Sequence, residues 1–449
     1  MAFTILKFGG TSVGTYEAIN NCLEKIEKNP DVKMVILSAT SGTTNNLISF
    51  YKTKEKLIID KVLQRHLDLA KQLNVLDSTQ TEINNIISNV LLNQNNEAYV
   101  IGAGEYLSSL LFFAALKNKF QERDIRLLDA REVMITSHHQ TEASPNFRLI
   151  KEKIASYMRE NPYLVLTQGF IGSSEVDGSP TSLGRGGSDY SAAIFGNALD
   201  ASELHIWTDV DGIFTIDPKL SPQAAVIPQL TFEQAAQMAT AGAKIIHHYT
   251  LYPLFNKNIS VFVGNTFNKN AHLVGTWIRP DDSQIKERSE QKTSVLAIAL
   301  NTNQVLATVK GRRRANEAGL LGRIFTTTAK YNINVHHLST SENSTSFTFS
   351  RTDSAVDDHF VAEIRDNDDL IIEENFSLLS LIGSNLHREN YLLEEITSLL
   401  RNHQIRMVFA GSNNNISAIL LKKEEAASAA KILHTHFIEQ REQREKNNE

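Results

Sequence analysis

A lysine followed closely by two glycines stands near the amino terminus, in the segment KFGGTS at residues 7–12. Glycines leave backbone N–H groups open to an approaching phosphate, and Lys7 adds positive charge beside Gly9 and Gly10. The spacing is not that of a P-loop, which requires G-x-x-x-x-G-K-[ST]. The segment is therefore a candidate phosphate-binding turn, and a surface lysine beside an ordinary tight turn is the alternative.

A second glycine-rich segment, TSLGRGGSD at residues 181–189, leads into a predicted helix over residues 189–199. Helix amino termini bind anions, and we predict that Ser188 and Asp189 cap this one. Arg185 lies between glycines, where its planar guanidinium suits bidentate binding of a carboxylate. The segment predicts a carboxylate-binding loop, with a merely flexible loop as the alternative.

Carboxylates and a lysine occur together in WTDVDGIFTIDPK, residues 207–219. Such a loop can bind the ribose, base edge and phosphates of a nucleotide, although Asp211 and Gly212 are also typical of a simple turn. Lys244 could add a second cation facing the phosphates, or be a solvated lysine.

Glu105 closes the segment GAGE at residues 102–105 and precedes a predicted apolar helix over residues 106–116. A carboxylate at the start of a buried helix could bind a substrate ammonium group. An ordinary acidic residue that stabilises the helix start is the alternative.

These candidates follow short apolar runs that alternate with helical patterns, which predicts an α/β fold with a mainly parallel sheet and helices on both faces. The predicted strands cover residues 3–8, 34–37, 126–129, 164–168 and 204–208. Because ligands bind at the carboxyl ends of such strands, we expect the loops after them to meet at one site.

The composition is that of a soluble enzyme, with 449 residues, 41% hydrophobic and 21% charged. The net charge of −6 gives no general attraction to nucleic acid or membrane surfaces, so we expect neither partner. The single cysteine, Cys22, cannot form an internal disulfide. With no evident export or membrane-spanning segment, we expect a cytoplasmic location.

A polar stretch at residues 280–293 predicts a linker, and two similar series of strands and helices follow it. The first has strands over residues 295–300, 305–309, 333–338 and 346–350 and a helix over 320–331. The second has strands over 376–382, 405–410 and 416–421 and helices over 391–403 and 424–439. The repeated order predicts two ferredoxin-like modules.

Taken together, the motifs resemble the amino-acid kinase superfamily and, within it, the aspartokinases. The motifs that carry the resemblance are KFGGTSV at 7–13, TQGFIG at 167–172, LGRGGSDY at 183–190, WTDVDG at 207–212 and GAK at 242–244. The resemblance covers essentially the whole chain and is strongest to the monofunctional, lysine-sensitive branch.

The resemblance implies a catalytic domain at 1–285 and a regulatory region at 293–449. There, an ACT module at about 304–375 is inserted in a second one formed by about 293–303 and 376–445. ACT modules commonly pair across subunits, which implies a homodimer.

The resemblance also implies the activity, which is transfer of the γ-phosphoryl group of ATP, carried with Mg²⁺, to the β-carboxylate of aspartate. It implies that Lys7 and Asp189 are catalytic. The implied aspartate-binding residues are Ser38, Ala39, Thr44, Glu105, Arg185, Gly187 and Ser188. The implied nucleotide-binding residues are Lys7, Gly9, Gly10, Thr208, Asp209, Phe214, Lys219 and Lys244.

An amino-acid effector site is implied in the first ACT module. Its residues would be Arg314, Glu317, Gly319, Leu320, Leu321, Val335, His336, Ser341 and Glu342. His336 replaces an aspartate of the lysine-sensitive branch, while Phe214 and Lys219 replace a tyrosine and an arginine. We expect no metal site at the adjacent histidine pairs, because neighbouring side chains on a helix point in different directions. The alternatives are a kinase for another acidic amino acid and a catalytically idle amino-acid sensor.

Overall fold

The chain forms two compact units in a computed structural model. The first comprises Met1–Ile213, Val226–Ala236 and Lys244–Asp282, and the second comprises Phe214–Ala225, Gln237–Ala243 and Ser283–Glu449. The structure describes residues 3–75, 77–160, 162–243, 246, 248–268, 274–280, 294–311, 319–342, 344–351, 358–365, 368–386, 391–409 and 416–441.

Eight strands of the first unit form one sheet, in the order β3-β5-β2-β1-β8-β10-β11-β9. Every pairing in it is parallel except that of β10 with β11. A second, three-stranded sheet has the order β4-β6-β7. The strands are β1 (Thr4–Phe8), β2 (Val32–Leu37), β3 (Ile125–Leu128), β4 (Ile135–Thr136), β5 (Leu164–Gln168), β6 (Ile171–Ser174), β7 (Pro180–Ser182), β8 (Glu203–Thr208), β9 (Gln229–Thr231), β10 (Ser260–Asn265) and β11 (Gly275–Arg279).

Helices lie in sequence between the two strands of each parallel pair, as expected because parallel pairing requires a crossover. They are α1 (Tyr16–Glu27), α2 (Thr43–Thr53), α3 (Lys56–Gln72), α4 (Asp77–Leu92), α5 (Glu97–Lys119), α6 (Ala130–Val133), α7 (Phe147–Met158), α8 (Gly187–Ala198), α9 (Phe232–Thr240) and α10 (His248–Phe255). The central strands β1 and β5 are buried along their whole length, which explains their continuous apolar runs. The predicted parallel α/β fold is confirmed, and each of the five predicted strands overlaps an observed one.

Helix α5 is long and apolar enough to cross a membrane by length and composition, and it is the only such helix in the described part of the chain. The sequence analysis found no such segment. The helix contributes Val100, Leu107 and Phe112 to the main core of the first unit, where it contacts α2 and α4. Its apolar character therefore reflects burial on many sides within a folded core.

The second unit contains a six-stranded antiparallel sheet, in the order β13-β14-β12-β15-β17-β16. Its strands are β12 (Ser294–Gly311), β13 (His337–Thr340), β14 (Ser344–Ser350), β15 (Asp368–Ser384), β16 (Ile405–Phe409) and β17 (Ile416–Lys422). Its helices are α11 (Leu320–Lys330), α12 (Asp358–Arg365), α13 (Leu392–Leu399) and α14 (Lys423–His434), and a π-helical turn (Thr435–Glu439) follows α14.

The long strands β12 and β15 pass through both halves of this sheet, so the two predicted strands at 295–300 and 305–309 are one strand. Its pairing with β15 shifts register between Asn301 and Leu306, where the prediction placed a break. The strand predicted at 333–338 lies later, at His337–Thr340, and the helix predicted at 391–403 is shorter, at Leu392–Leu399.

Each half of the sheet has its own core. Val305, Phe347 and Phe360 belong to one apolar cluster, while Leu379 and Leu433 belong to another. Two cores beside one antiparallel sheet agree with the expected pair of ACT-like modules. The predicted linker lies almost wholly outside the described residues, and the predicted module boundaries stay predictions.

Candidate active site

Lys7 and Asp189 form a largely buried ion pair at the carboxyl end of β1. The Lys7 ammonium lies 2.6 Å from Asp189 Oδ1, and the two side chains are 9% and 17% exposed. Lys7 belongs to a strand whose neighbours β2 and β8 are parallel to it, so the loops that follow these strands begin at the same edge. The carboxylate of Asp189 holds the Lys7 ammonium in one position. An ammonium group has three N–H donors, so Lys7 can still donate to a ligand.

The second glycine-rich segment brings Asp189 to this position. Gly184 and Gly186 have φ angles of 75° and 71°, a left-handed conformation that glycine adopts without steric cost, and Arg185 lies between them. Helix α8 then begins at Gly187, with Gly186 as its cap and no side-chain cap. The predicted capping by Ser188 and Asp189 was therefore wrong: both lie in the first turn of the helix, and Asp189 binds Lys7 instead.

Glu105 lies inside α5 (Glu97–Lys119), so the prediction of a helix that begins just after it, at residue 106, was also wrong. Gly102 and Gly104 do not end the helix; a Cβ atom added at Gly104 would lie 2.8 Å from the Ala39 side chain. These glycines let α5 pack closely against neighbouring segments. Glu105 is 3% exposed, and its Oε1 accepts a hydrogen bond from the Ala39 backbone N–H at 3.3 Å.

Burial raises the pKa of Glu105 to about 8, and the hydrogen bond from Ala39 only partly opposes this. Glu105 Oε2 has no hydrogen-bond partner among the described residues. A cationic ligand beside Oε2 would therefore stabilise the ionised form of Glu105.

A cavity of about 680 Å³, within the volume range of small-molecule sites, is lined by all of the predicted catalytic and aspartate-binding residues. The predicted residues that line it are Lys7, Gly10, Ser38, Ala39, Thr44, Glu105, Arg185, Gly187, Ser188 and Asp189. The cavity is thus lined by two cationic side chains, by the four carboxyl groups of Glu97, Glu105, Glu142 and Asp189, and by residues of the first turn of α2. Such a set can bind an amino acid through its ammonium and carboxylate groups while leaving a cation for a phosphate.

Thr208 and Asp209 lie at the carboxyl end of β8, next to the first glycine turn. The Gly9 backbone N–H donates to Trp207 O at 2.9 Å, and a Cβ atom added at Gly9 would lie 4.0 Å from Thr208 Oγ1 and 3.7 Å from Lys7 Nζ. Thr208 and Asp209 are outside the lining of the cavity, but they share its edge of the sheet.

Phe214 and Lys219 belong to the second unit, in the segment Phe214–Ala225. Thr215 Oγ1 lies 2.9 Å from His434 Nε2, and His434 Nδ1 lies 2.8 Å from Glu439 Oε1. This segment is therefore held by the carboxy-terminal helix. Lys244 lies outside the described residues.

The predicted effector residues that the structure describes occur in the second unit. Gly319, with φ 119°, precedes α11, which begins with Leu320 and Leu321. Val335 and His336 precede β13, and His336 Nδ1 lies 3.0 Å from Gln304 Oε1. Ser341 and Glu342 lie between β13 and β14. Arg314 and Glu317 lie outside the described residues.

The sequence analysis did not single out several other residues that line the cavity. They are Thr40, Ser41, Gly42, Asn45, Ile48, Glu97, Ile101, Thr141, Glu142, Phe170, Ser182, Gly184 and Gly186. Phe170 has a φ angle of 68°, which is uncommon for a bulky side chain and marks a position under constraint. Nothing in the sequence marked Phe170, which follows Gly169, as a strained residue.

No group of three or more His, Cys, Asp or Glu residues that could hold a metal occurs in the described part of the chain.

Comparison with known proteins identifies the family of this chain. A family model described as the amino acid kinase family matches residues 2–265. The chain is 32% identical to the lysine-sensitive aspartokinase 3 of Escherichia coli (strain K12), over 97% of this chain and 99% of that protein. The chain therefore belongs to the amino acid kinase family.

Solved structures narrow this to one branch of the family. The structure of E. coli aspartokinase III in complex with aspartate and ADP (R-state) has a TM-score of 0.87 and 31% identity, covering 96% of this chain and 99% of that one. The same enzyme in complex with lysine and aspartate (T-state) has a TM-score of 0.77 and 30% identity, covering 97% and 99%. Within the family, the chain is one of the aspartokinases.

Proposed function

We propose that this aspartokinase transfers the γ-phosphoryl group of ATP to the β-carboxylate of aspartate and releases 4-phospho-L-aspartate. The observation that carries the proposal is the Lys7–Asp189 ion pair at 2.6 Å, in one cavity with Glu105 and Arg185. An idle sensor would be expected to have lost at least one of these four groups.

In the proposed substrate complex, Arg185 binds the α-carboxylate of aspartate through its planar guanidinium. Glu105 binds the ammonium group, which supplies the cationic partner that its buried second oxygen lacks. Ser38, Ala39, Thr44, Gly187 and Ser188 complete the aspartate site from the loop after β2 and the first turns of α2 and α8.

The chemical step needs no general base, because the β-carboxylate of free aspartate has a pKa near 3.9 and is ionised at neutral pH. The obstacle is repulsion between two anions, about 4 kcal/mol at 4 Å with an effective dielectric constant of 20. Lys7 neutralises part of this charge, and Asp189 holds its ammonium in place. Mg²⁺ arrives as part of the ATP substrate and neutralises the phosphates further.

The proposed nucleotide site uses the turn at Gly9 and Gly10 for backbone contacts to phosphate. The other residues assigned to it are Lys7, Thr208, Asp209, Phe214, Lys219 and Lys244. Phe214 has no phenolic hydroxyl and Lys219 has no bidentate fork, so we expect weaker binding of ATP than with a tyrosine and an arginine at these positions.

We also propose a division at about residue 285 between a catalytic and a regulatory region, with an ACT module at 304–375 inserted in a second one. The E. coli relative is lysine-sensitive by name, which supports an amino-acid effector in the first module. His336 in place of an aspartate leaves Glu317 and Glu342 as the carboxylates that could bind a cationic effector. We also propose that the protein is a homodimer and that it is located in the cytoplasm.

A hydroxamate assay tests the activity, with purified protein, ATP and Mg²⁺ and with aspartate, glutamate or N-acetylglutamate as acceptor. We expect product with aspartate, formed about 10²–10³-fold more slowly by the Lys7→Ala variant, which is the matched control. Product only with another acceptor would indicate a different amino-acid kinase, and no product with any acceptor would indicate a sensor. Repeating the assay with lysine and with threonine tests inhibition.

A further inference from the structure

His66 is a fully buried residue of α3 that lies outside the substrate cavity but is connected to it. His66 Nδ1 lies 2.7 Å from the Val62 carbonyl oxygen, and His66 Nε2 lies 3.1 Å from Thr40 Oγ1. Thr40 Oγ1 in turn lies 2.6 Å from Thr43 Oγ1. His66, Thr40 and Thr43 are each at most 1% exposed, so water does not compete for these bonds.

The chemistry of the groups determines which atom donates in each of these three hydrogen bonds. A carbonyl oxygen only accepts, so His66 Nδ1 carries a proton and donates it to Val62. Burial lowers the pKa of His66 to about 4, so the ring is neutral at physiological pH and Nε2 must accept. Thr40 therefore donates its only hydroxyl proton to His66, and Thr43 must donate to Thr40.

The two threonines belong to the segment that forms one side of the substrate cavity. Thr40 lines the cavity itself, while Thr43 is the first residue of α2 and precedes the cavity residue Thr44. The segment is also tied to the other parts of the site. Ala39 donates to Glu105, and the Ser41 backbone N–H donates to Gly10 O at 2.9 Å.

A second contact from α3 supports the same segment. Arg65, the residue before His66, donates to the Ser41 carbonyl oxygen and, at 3.5 Å, to the Gly14 carbonyl oxygen. Two consecutive residues of α3 thus hold a loop that has little apolar surface of its own.

We infer that His66 is a positioning residue for aspartate, acting through Thr40 and Thr43 to fix the cavity segment and the first turn of α2. The inference rests on the proposed function, because it assigns this cavity to aspartate. The first-turn N–H groups of a helix have no partners within the helix, so their direction decides how well a carboxylate is bound. A loosened segment should therefore weaken binding of aspartate more than binding of ATP.

Four variants test this: Thr40→Val, Thr40→Ser, His66→Phe and the double variant Thr40→Val/His66→Phe. Thr40→Val keeps the shape of the side chain but removes the hydroxyl, whereas Thr40→Ser retains it. We expect Thr40→Val and His66→Phe each to raise the KM for aspartate about tenfold, the usual effect of losing one buried hydrogen bond, with less than a twofold change in the KM for ATP. Thr40→Ser should stay within about twofold of the wild type, and the double variant should be no worse than the worse single one.

Ile59→Ala is the control for general destabilisation, because Ile59 is a buried residue of the same helix in the main core. It should lower the unfolding midpoint and leave the KM for aspartate unchanged. Equal changes in both KM values, or a rise in the aspartate KM with Ile59→Ala, would show that His66 is only a core residue. Should His66→Phe fail to fold, the comparison of Thr40→Val with Thr40→Ser decides alone.

The wild-type assay separates this inference from the proposed function. A wild-type protein that does not phosphorylate aspartate would overturn the function itself. If the wild type is fully active and the Thr40→Val and His66→Phe variants have an unchanged KM for aspartate, only the role of His66 is overturned.

Discussion

At the scale of single residues, Glu105 is the group whose ionisation matters most for substrate binding. With a pKa raised to about 8 by burial, its carboxyl holds a proton at neutral pH in the free protein. Its unfolded-state pKa lies near 4.5, so its contribution to stability is full below pH 4.5 and is lost as the pH rises through about 8. A bound ammonium group reverses this preference, because an adjacent cation favours the carboxylate.

Binding of aspartate at pH 7 should therefore release up to one proton from Glu105. Calorimetry in two buffers of different ionisation enthalpy measures the number released. Glu105→Gln cannot ionise, so it should release none and should raise the KM for aspartate at least tenfold. Equal proton release by the wild type and the variant would contradict the assignment.

Lys7→Ala should lower kcat about 10²–10³-fold, the usual effect of removing one electrostatic stabiliser of a transition state. The matched control is Asp189→Asn, which keeps the Lys7 ammonium but removes its carboxylate partner and should cost less. Steady-state kinetics measures kcat for each variant, and thermal unfolding shows whether the variant is folded. An unchanged kcat in a folded Lys7→Ala variant would remove Lys7 from the mechanism.

At the scale of elements, the close packing of α5 depends on glycines that a helix would ordinarily avoid. A Cβ atom at Gly104 would lie 2.8 Å from Ala39 Cβ and 3.2 Å from Thr43 Cγ2. One at Gly102 would lie 2.7 Å from Ile171 Cγ2. The helix that carries Glu105 therefore touches the segment after β2 with almost no side chain between them.

Gly104→Ala should destabilise the protein by about 1–3 kcal/mol and raise the KM for aspartate, because α5 must move away from Ala39. Gly322 in α11 is the matched control, since no atom lies within 4 Å of a Cβ atom added there. Gly322→Ala should stabilise its unit by about 0.5–1 kcal/mol, the normal gain from replacing glycine in a helix. Denaturant unfolding measures both, and a neutral Gly104→Ala variant would contradict the packing argument.

These glycines also mark the limit of what the sequence could predict. The parallel strands could be predicted because burial on both faces requires a local run of apolar residues. The start of α5 could not, because Gly102 and Gly104 read as a helix boundary unless their contacts with Ile171 and Ala39 are known. His66 gave no signal for the same reason, since its partner Thr40 is 26 positions away. The motifs predicted ten of the 23 residues that line the cavity, whereas the residues that brace it depend on tertiary contacts.

At the scale of the whole molecule, the segment Phe214–Ala225 belongs structurally to the second unit although it precedes that unit's main portion by many residues. Ile216 is 2% exposed in the same apolar cluster as Leu379 and Leu433. The Ile298 backbone N–H donates to Thr215 O at 2.7 Å. The proposed nucleotide residues Phe214 and Lys219 are therefore positioned by the carboxy-terminal half of the chain.

A fragment ending at residue 285 should consequently bind ATP at least tenfold more weakly than the full chain, because Ile216 and Thr215 lose these partners. Isothermal titration of ATP into both proteins measures this, with circular dichroism to check that the fragment is folded. A folded fragment with the affinity of the full chain would show that the segment holds its conformation alone.

The contact between Thr215 and His434 joins residues 219 positions apart. A ribosome makes the chain from its amino terminus, at about 5–20 residues per second, and domains that emerge early can fold before later ones exist. Phe214 and Lys219 therefore emerge well before His434, the residue that anchors their segment. The nascent enzyme should therefore acquire its aspartate pocket first, and its full capacity to use ATP only once the helix that contains His434 has left the ribosome.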